Sequence, residues 1–591
     1  MSVNSYREDE VQKEVLKKDT LLRLFKYLLR YKKSIAVVLM IMAVTLVINL
    51  ITPLLIERAI DVHIANKDMK NLLILGSVAM VLYVIFTIGT KARMYMMSKL
   101  SNEVLLSIRE ELYTHIQTLS FSFFDSRPTG KILARITGDT NALKEVLSDS
   151  VTKLIPNLLT IISVAAVMLI KNWKLAMAAL LTLPILAVGM MIIQTTAHRR
   201  WQIVRKKNSN LNAFIHEDMS GIRIVQSFSA EHETMEDFEF LMNEHKSAFI
   251  NAVRIADAFG SVVEITWGLG GFLLYFIGIK IIGVGEIGVG TFLAFSTYIS
   301  MFWSPVRNLA NFYNKLITNI SSAERVFDIL DTEPDIKDRE GAGELPDIQG
   351  EVVFDHVSFA YSDEPGRMVL NDVSFKINPG ETIALVGPTG AGKTTIVNLI
   401  SRFYDITKGE VYVDGYSLRD VTIESLRKQM GVMTQDNFLF SGTIRDNIRY
   451  GRLDATDEEV EQAAKAVSAH EFIMNLENGY DTEISERGAR LSIGQRQLLA
   501  FARTMVSMPR ILILDEATSS IDTHTELLVQ KGIEALLAGR TSFVIAHRLS
   551  TIRKADRIFV VDDGRIIEEG NHDQLMEKQG AYYGLYQAQF K

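Results

Sequence analysis

The sequence predicts two domains of different classes: an α-helical membrane domain, followed by an α/β domain with a largely parallel sheet. Every long apolar run of the 591-residue chain lies before Asp331, whereas beyond that point short β-rich runs alternate with helical stretches. A mean hydropathy of +0.14 beside 23% charged residues is unusual for a soluble protein. It agrees with an apolar part averaged with a polar one.

Six apolar runs define the first domain. The first, Ser34 to Ile56, contains no charge and is long enough to cross a bilayer as a helix, which takes ~20 residues. The other five extend from Leu72 to Thr90, Leu154 to Ile170, Leu175 to Ile193, Phe259 to Ile282 and Val289 to Trp303. The third and sixth are short, but the alternative of six buried helices would require an improbably large soluble core. The pattern predicts six transmembrane helices.

Basic residues around these runs predict the orientation. From Lys17 to Lys33, leucines and aromatics fall at helical spacing between basic residues, which is typical of an interfacial amphipathic helix. Basic side chains recur in the long segments after the second and fourth runs, at Lys91, Arg93, Lys99 and Arg109, and at Arg199, Arg200, Arg205, Lys206 and Lys207. The positive-inside rule then places both termini and the long connections in the cytoplasm. We expect a multi-pass protein of the plasma membrane, in contact with the lipid bilayer.

The expected domain bounds follow from these patterns and from a polar stretch rich in Gly and Pro between Asp331 and Asp347. Residues 1–33 form a cytosolic N-terminus and elbow helix, and residues 34–325 form the membrane domain with two long cytoplasmic loops. Residues 326–347 form a linker, and residues 348–591 form the α/β domain. The absence of cysteine excludes thiolate metal sites and disulfides. The net charge of −7 offers no electrostatic footprint for nucleic acid.

The second domain contains a phosphate-binding motif. The segment Gly387-Pro388-Thr389-Gly390-Ala391-Gly392-Lys393-Thr394 follows an apolar strand and leads into a helical run that starts at Thr394, and Thr395 is predicted to bind nucleotide as well. It matches the P-loop pattern G-x-x-x-x-G-K-[ST] in the context that the pattern requires. Backbone N–H groups and the helix N-terminus would surround phosphate oxygens. Lys393 would contact the β- and γ-phosphates of ATP, and Thr394 would ligate Mg²⁺.

Paired carboxylates end a second apolar strand, at Asp515 and Glu516. In isolation such acids more often cap a helix or face solvent. Beside a P-loop, Asp515 is predicted to hold the Mg²⁺ shell, and Glu516 to orient or deprotonate the attacking water.

The segment Leu491-Ser492-Ile493-Gly494-Gln495 resembles the signature motif of ATP-binding cassette (ABC) proteins, usually LSGGQ. With it, nearly the whole chain resembles a bacterial ABC half-exporter of the multidrug or lipid type. The resemblance implies the ABC exporter type I fold, with six transmembrane helices fused to a P-loop nucleotide-binding domain. It also implies ATP hydrolysis coupled to transport.

The resemblance assigns further residues. Tyr361 matches the aromatic that stacks on adenine, Gln435 the glutamine that touches Mg²⁺, and His547 the switch histidine at the γ-phosphate. Glu486 and Gly488 match the E-x-G segment, and Ser520-Ile521-Asp522 matches the D-loop. Ser492, Gly494 and Gln495 would bind the γ-phosphate of a nucleotide that the opposite subunit holds. The segments from Phe123 to Arg135 and from Asn212 to Phe228 resemble the loops that carry coupling helices.

These assignments predict ATP-driven export of amphiphilic compounds such as drugs, lipids or peptides. The alternative is a membrane sensor or ATP-gated channel with the same fold, which could dispense with Glu516 or His547, although this chain keeps both. A soluble ATPase of DNA repair would share the signature but not the apolar runs.

Ile493 stands where the family usually has glycine. A β-branched residue does not readily adopt a backbone φ above zero and adds bulk beside a phosphate. In heterodimeric exporters of this family, the subunit with an intact glutamate often carries the altered signature. We therefore expect a second half-transporter as partner, in a heterodimer rather than a homodimer.

A carboxylate in the fifth apolar run, Glu264, is followed one turn later by Trp267. A charge at bilayer depth is costly, so such residues usually face a cavity or a partner. In one reading, Glu264 lies near a helix end or pairs with a polar neighbour on another helix. In the other, it lines the transport pathway with Trp267, where the two would attract a lipophilic cation.

Overall fold

The structure is a computed structural model that describes residues 18–282, 288–361, 366–434, 437–484, 488, 490–515, 523–546 and 549–590. The chain divides into two compact units. The first holds the chain up to Gln117 together with Gly130–Asp331. The second holds Thr118–Thr129 together with the chain from Thr332 onward. A short piece between two long helices of the first unit therefore belongs to the second.

The first unit is helical. Its helices are α1 (Lys18–Leu29), α2 (Lys32–Arg58), α3 (Met69–Thr118), α5 (Thr129–Ala134), α6 (Thr140–Asp149), α7 (Ile155–Lys171), α8 (Trp173–Leu180), α9 (Thr182–Ser220), α10 (Ile222–Ser227), α11 (Glu231–Ile277) and α12 (Val289–Leu330), while α4 (Phe121–Asp125) lies in the second unit. Short π-helical segments continue this path at 59–64, 135–139, 150–154 and 278–282. Apart from Leu181, the six predicted apolar runs lie on these helices and their π-helical continuations.

Four helices within the described residues are both long and apolar enough to cross a membrane: Lys32–Ile64, Met69–Thr118, Thr129–Lys171 and Glu231–Lys280. The fourth predicted run is divided between α8 and α9, because Leu181 interrupts the helix, and polar residues follow its apolar part in α9. The sixth run starts α12, in which hydroxyl side chains alternate with apolar ones. The helices that carry the fourth and sixth runs are therefore less apolar in composition than the four that could cross a membrane.

The amphipathic helix α1 packs against the end of α12. Leu24 and Leu28 are buried, whereas Leu22 and Leu29 are exposed. The Arg23 guanidinium pairs with the Asp331 carboxylate at 2.6 Å. These contacts fix the start of the described chain on the last helix of the unit.

The core of the membrane unit lies between α7, α8, α11 and α12. Val164 and Met168 of α7 pack with Leu274 and Phe295 in one buried cluster. Tyr298, also buried there, donates a hydrogen bond to the Leu50 carbonyl of α2 at 2.7 Å. This bond satisfies the hydroxyl that the tyrosine carries into the apolar core.

Within its described residues, the second unit is built on three sheets. Its strands are β1 (Val352–Phe359), β2 (Leu370–Ile377), β3 (Thr382–Val386), β4 (Lys408–Val413), β5 (Tyr416–Ser417), β6 (Met430–Met433), β7 (Gly442–Thr443), β8 (Glu483–Ile484), β9 (Ile511–Asp515), β10 (Thr541–Ile545), β11 (Arg557–Asp562) and β12 (Arg565–Gly570). The six-stranded sheet has the order β12-β11-β3-β10-β9-β6. Its strands are parallel except for the edge strand β12. The four-stranded sheet β2-β1-β4-β5 is antiparallel.

Helices connect and cover these strands. They are α13 (Lys393–Ile400), α14 (Ile423–Arg427), α15 (Ile444–Arg449), α16 (Asp457–Ala466), α17 (His470–Met474), α18 (Ile493–Val506), α19 (Thr523–Leu537), α20 (Leu549–Lys554), α21 (His572–Lys578) and α22 (Ala581–Phe590). In the parallel sheet, Ile545 of β10 pairs with Leu385 of β3 and with Asp515 of β9. The carboxyl ends of these three strands therefore meet at one edge, which is where ligands bind in open α/β sheets.

Candidate nucleotide site

The P-loop bridges the carboxyl end of β3 and the start of α13, as its sequence predicts. Gly387 has a φ of +150°, and a Cβ there would lie 2.0 Å from the Val561 carbonyl oxygen. Gly392 has a φ of +105°, and its Cβ would lie 2.8 Å from Leu370 Cδ2. Conformation and space thus both require glycine at these two positions. They shape a loop that can close around a phosphate.

Lys393 is buried at the centre of this loop, with 8% of its surface exposed. Its ammonium group donates hydrogen bonds to the carbonyl oxygens of Gly387 and Pro388, both at 2.8 Å. Burial lowers the pKa of Lys393, and the nearby Asp515 carboxylate partly opposes that shift. The cation is therefore held inside the loop, where an anionic ligand would stabilise its charged form.

One cavity of about 920 Å³ joins the P-loop to Asp515 and Tyr361. Of the predicted nucleotide-binding residues, its walls contain Tyr361, Thr389, Gly390, Gly392, Lys393, Thr394, Thr395 and Asp515. The volume falls in the range of ligand pockets, roughly 300–1,000 Å³. The structure thus brings together the adenine, phosphate and metal positions that the sequence predicted from three distant segments.

Tyr361 follows the end of β1 after Ala360 and lies at the wall of this cavity. Its ring packs edge-to-face on Phe359 and on Tyr404, with centroid distances of 4.8 and 5.1 Å. Its hydroxyl is 3.1 Å from Thr395 Oγ1 on the P-loop helix. These contacts hold the ring beside the phosphate loop, where a nucleobase could stack on it.

The predicted signature forms the N-terminus of α18. Ser492 is the N-cap: its Oγ accepts from the Gln495 N–H at 3.2 Å, and Gln495 Oε1 accepts from the Ser492 N–H at 3.0 Å. The buried Gly494 lies in the first turn. Ser492, Gly494 and Gln495 are absent from the walls of the P-loop cavity. This chain therefore does not bring its own signature to its own P-loop.

The backbone argument about Ile493 is wrong. Ile493 is the first residue of α18 and has a right-handed helical conformation, so its position does not demand the positive φ that would favour glycine. Any residue can begin a helix in this way. The prediction that Ile493 adds bulk beside a phosphate is unaffected, because its side chain is 43% exposed at the helix N-terminus.

Several predicted site residues lie outside the described residues. They are Gln435, Glu486, Glu516, Ser520, Ile521, Asp522 and His547. Gly488 is described and has a φ of +67°, a conformation that suits glycine.

The same cavity also contains residues that the sequence did not connect with nucleotide. Ser122 and Asp125 of α4, together with Arg127 and the buried Tyr404, form part of its wall. The predicted coupling-loop segment, which starts at Phe123, contains the last residues of α4, and Phe403-Tyr404 follows the P-loop helix after Ser401 and Arg402. That adjacency was the signal that could have identified Tyr404.

Glu264 and Trp267 lie in the first unit, on α11. Glu264 is exposed, and Trp267 is 47% exposed. The indole Nε1–H of Trp267 donates to Ser300 Oγ of α12 at 3.2 Å. The pair thus occupies an open face beside α12.

Comparison with known proteins identifies both units. Residues 35–306 match the family model of the ABC transporter transmembrane region, and residues 370–519 match that of the ABC transporter. An uncharacterized ABC transporter ATP-binding protein, YknV of Bacillus subtilis, is 42% identical over 99% of this chain and 97% of its own. An ATP-dependent lipid A-core flippase of Syntrophus aciditrophicus is 38% identical over 96% of this chain and 95% of its own.

A solved structure supports the same assignment. A bacterial Atm1-family ABC exporter with ATP bound is 27% identical, covers 95% of this chain and 98% of its own, and superposes with a TM-score of 0.78. The predicted fold, a membrane domain fused to a nucleotide-binding domain, is confirmed. The chain belongs to the ABC transporter family, as an ATP-hydrolysing exporter whose transmembrane region precedes its nucleotide-binding domain.

Proposed function

We propose that the chain is one half of a dimeric exporter that moves amphiphilic compounds such as drugs, lipids or peptides across the plasma membrane. The observation that carries the proposal is the incomplete cavity. It contains the P-loop, Asp515 and Tyr361, but not Ser492, Gly494 or Gln495 of the same chain. A second subunit would supply that signature, so that ATP lies between two nucleotide domains.

The donor set of the cavity suits ATP with Mg²⁺. The Thr394 hydroxyl and the Asp515 carboxylate are hard oxygen donors in one cavity with the Lys393 ammonium group. Lys393 would contact the β- and γ-phosphates, and the ring of Tyr361 would stack on adenine. When bound, Mg²⁺ would neutralise phosphate charge between Thr394 and Asp515.

Three residues complete the proposed chemistry on the basis of sequence position. Glu516, directly after Asp515, would orient or deprotonate the attacking water. Gln435 would approach the metal, and His547 would approach the γ-phosphate. Hydrolysis would separate the nucleotide domains and so drive the membrane helices between inward and outward states.

The proposed topology keeps both termini in the cytoplasm. The domain bounds remain those expected from sequence: residues 1–33, 34–325, 326–347 and 348–591. The basic segments that follow the second and fourth apolar runs support this orientation. A lipid-like substrate agrees with the relative named as a lipid A-core flippase. Glu264 and Trp267 are proposed to border the substrate path.

For the partner we propose a heterodimer. The support is Ile493, whose branched side chain projects from the helix turn that would face the other subunit's ATP. The glutamate at position 516 and the histidine at 547 match the family pattern, so the second site, made with a partner's intact signature, would hydrolyse ATP.

The test is the Glu516→Gln variant of the assembled transporter in liposomes. ATP binding should persist, whereas hydrolysis and ATP-dependent flipping of a fluorescent phospholipid should fall by about 10²–10⁴-fold, the usual contribution of a general base. Glu471→Gln, an exposed glutamate of α17, is the control and should behave as the parent. Parental hydrolysis by Glu516→Gln would remove Glu516 from the chemistry. ATP-dependent ion conductance without net transport would indicate a channel.

A further inference from the structure

The turn between β11 and β12 lies beside the P-loop. It is a two-residue hairpin turn, because Asp562 pairs with Arg565 across it. Its central residues, Asp563 and Gly564, both have a positive φ, of +43° and +71°. Asp-Gly is a preferred sequence for type I′ turns of this kind. The sequence therefore accounts for the turn, but not for its place at the nucleotide cavity, whose walls include both central residues.

The backbone of Gly564 joins the P-loop to the start of β2. Its N–H donates to the Ala391 carbonyl of the P-loop at 3.1 Å, and its carbonyl accepts from the Asn371 N–H of β2 at 3.0 Å. The fit is close, since a Cβ on Gly564 would lie 2.3 Å from the Val369 carbonyl oxygen. Conformation and space thus both require glycine at position 564.

The bond to Ala391 determines the direction of the next N–H group along the P-loop. The Ala391 carbonyl and the Gly392 N–H belong to one planar trans peptide, so they point in opposite directions. Because the carbonyl is bound by Gly564, the Gly392 N–H points away from the turn. Gly392 is the N-cap of α13, and backbone N–H groups at this end of a helix are the donors that a P-loop offers to phosphate oxygens.

We propose that Gly564 is a positioning residue of the nucleotide site, which holds the Ala391–Gly392 peptide in the orientation that binds phosphate. The inference deepens the proposed function and rests on it, since it requires the P-loop to hold the phosphates of ATP. N–H groups around the α- and β-phosphates bind ATP and its transition state alike. Loss of the correct orientation therefore raises KM and leaves kcat unchanged.

A second Asp-Gly turn of the same unit offers a matched control. Asp414 and Gly415 join β4 to β5 in the same two-residue form, with φ values of +47° and +82°. A Cβ on Gly415 would meet no heavy atom within 4 Å among the described residues, its chain neighbours apart. Alanine imposes a positive φ on a residue with a side chain at both turns, but the backbone must move to make room only at Gly564.

The experiment compares Gly564→Ala and Gly415→Ala with the parent in the assembled transporter. Gly564→Ala should raise the KM for ATP about tenfold, the loss expected for one hydrogen bond to a charged group. It should weaken ADP binding by the same factor, because ADP also carries the α- and β-phosphates. The value of kcat should change less than about twofold. Gly415→Ala should keep the parental KM, kcat and ADP affinity.

Amide hydrogen exchange in the parental transporter tests the same bond without a substitution. A non-hydrolysable ATP analogue immobilises the P-loop, and with it the carbonyl that the Gly564 N–H contacts. Exchange at the turn of residues 562–565 should slow at least about threefold when the analogue binds. Exchange at the turn of residues 413–416 should stay the same.

The outcomes separate the inference from the proposed function. A parental KM in Gly564→Ala, an equal rise in Gly415→Ala, or a fall in kcat as large as the rise in KM would overturn the role of Gly564. If Gly564→Ala does not assemble, the exchange measurement decides, and unchanged exchange at residues 562–565 with the analogue bound would overturn that role. Lys393→Ala removes the ammonium group from the same loop. Parental ATP affinity in Lys393→Ala would overturn the proposed function, and the inference with it.

Discussion

The side chain of Ile493 projects from the first turn of α18, directly after the capping Ser492. The helix accepts this residue without backbone strain, since position 493 is helical. Ile493 is expected to affect a nucleotide that the other subunit holds. The N–H groups at a helix N-terminus bind phosphate only if the phosphate can approach them. A branched side chain with 43% of its surface exposed limits that approach.

We expect Ile493→Gly to alter nucleotide occlusion only at the site formed with the partner's P-loop. The cost in helix stability should be at most about 1 kcal/mol, the propensity difference for glycine in a helix interior. Trapping with labelled ATP and an inorganic phosphate analogue measures the occupancy of each site separately. Ile493→Val, which keeps the branched carbon, is the control and should match the parent. An equal change at both sites, or no change at either, would contradict an asymmetric pair.

The sequence predicted the surroundings of some single residues but not of others. Gly387 and Gly392 follow from the motif, since the backbone there has no room for a Cβ. The contact of Tyr404 does not, because its hydrogen-bond partner Asp125 is distant along the chain. A side-chain pair of this kind has no motif, and only the folded unit brings its members together.

Helices α11 and α12 are joined by the hydrogen bond from Trp267 to Ser300. Glu264 lies one turn before Trp267 and is exposed on the same helix. Carboxylate and indole face together suit a lipophilic cation, by charge attraction and by cation–π attraction. The indole bond fixes the aromatic partner in place.

We expect Glu264→Gln to reduce transport of a cationic amphiphile such as rhodamine 6G about fivefold, which corresponds to about 1 kcal/mol for an exposed ion pair. Transport of a neutral phospholipid analogue and the basal ATPase rate should change little. Both are measured in liposomes with the purified transporter. Asp257→Asn removes an exposed carboxylate two turns earlier on α11 and is the control. Equal losses for cationic and neutral compounds would indicate a packing defect, and no loss for either would place Glu264 off the path.

At the level of elements, periodicity predicted most of the architecture. The α/β alternation gave the parallel sheet, and the apolar runs gave the long helices. The division of the fourth run at Leu181 was not predictable, because apolar composition alone does not show where a helix is interrupted. The assignment of α4 to the nucleotide-binding unit was equally hidden, since its five residues have no periodicity of their own.

In the nucleotide-binding unit, the two parts of the proposed ATP site lie apart from each other. The P-loop cavity contains Lys393 and Asp515, whereas the Ser492 cap belongs to a different helix outside that cavity. Two chains related by a twofold arrangement would complete two sites, each with one P-loop and one signature. The two sites would be equivalent in a homodimer and different in a heterodimer.

We expect the chain alone to hydrolyse ATP weakly and to regain activity with a half-transporter that carries an LSGGQ signature and lacks a glutamate at the position of Glu516. The reason is that the partner's intact signature would complete the site built on Lys393 and Glu516, whereas a homodimer would place Ile493 at both sites. Native mass spectrometry of the complex measures whether two copies of this 66.4 kDa chain or two different chains assemble. The ATPase rate of each preparation is compared at equal protein concentration. The control is the same pair with Lys393→Ala in this chain, which should abolish the gained activity because the fast site uses this P-loop. Vigorous ATPase activity and transport by two copies of this chain alone, with both sites occluding nucleotide equally, would show that Ile493 is tolerated and that the transporter is a homodimer.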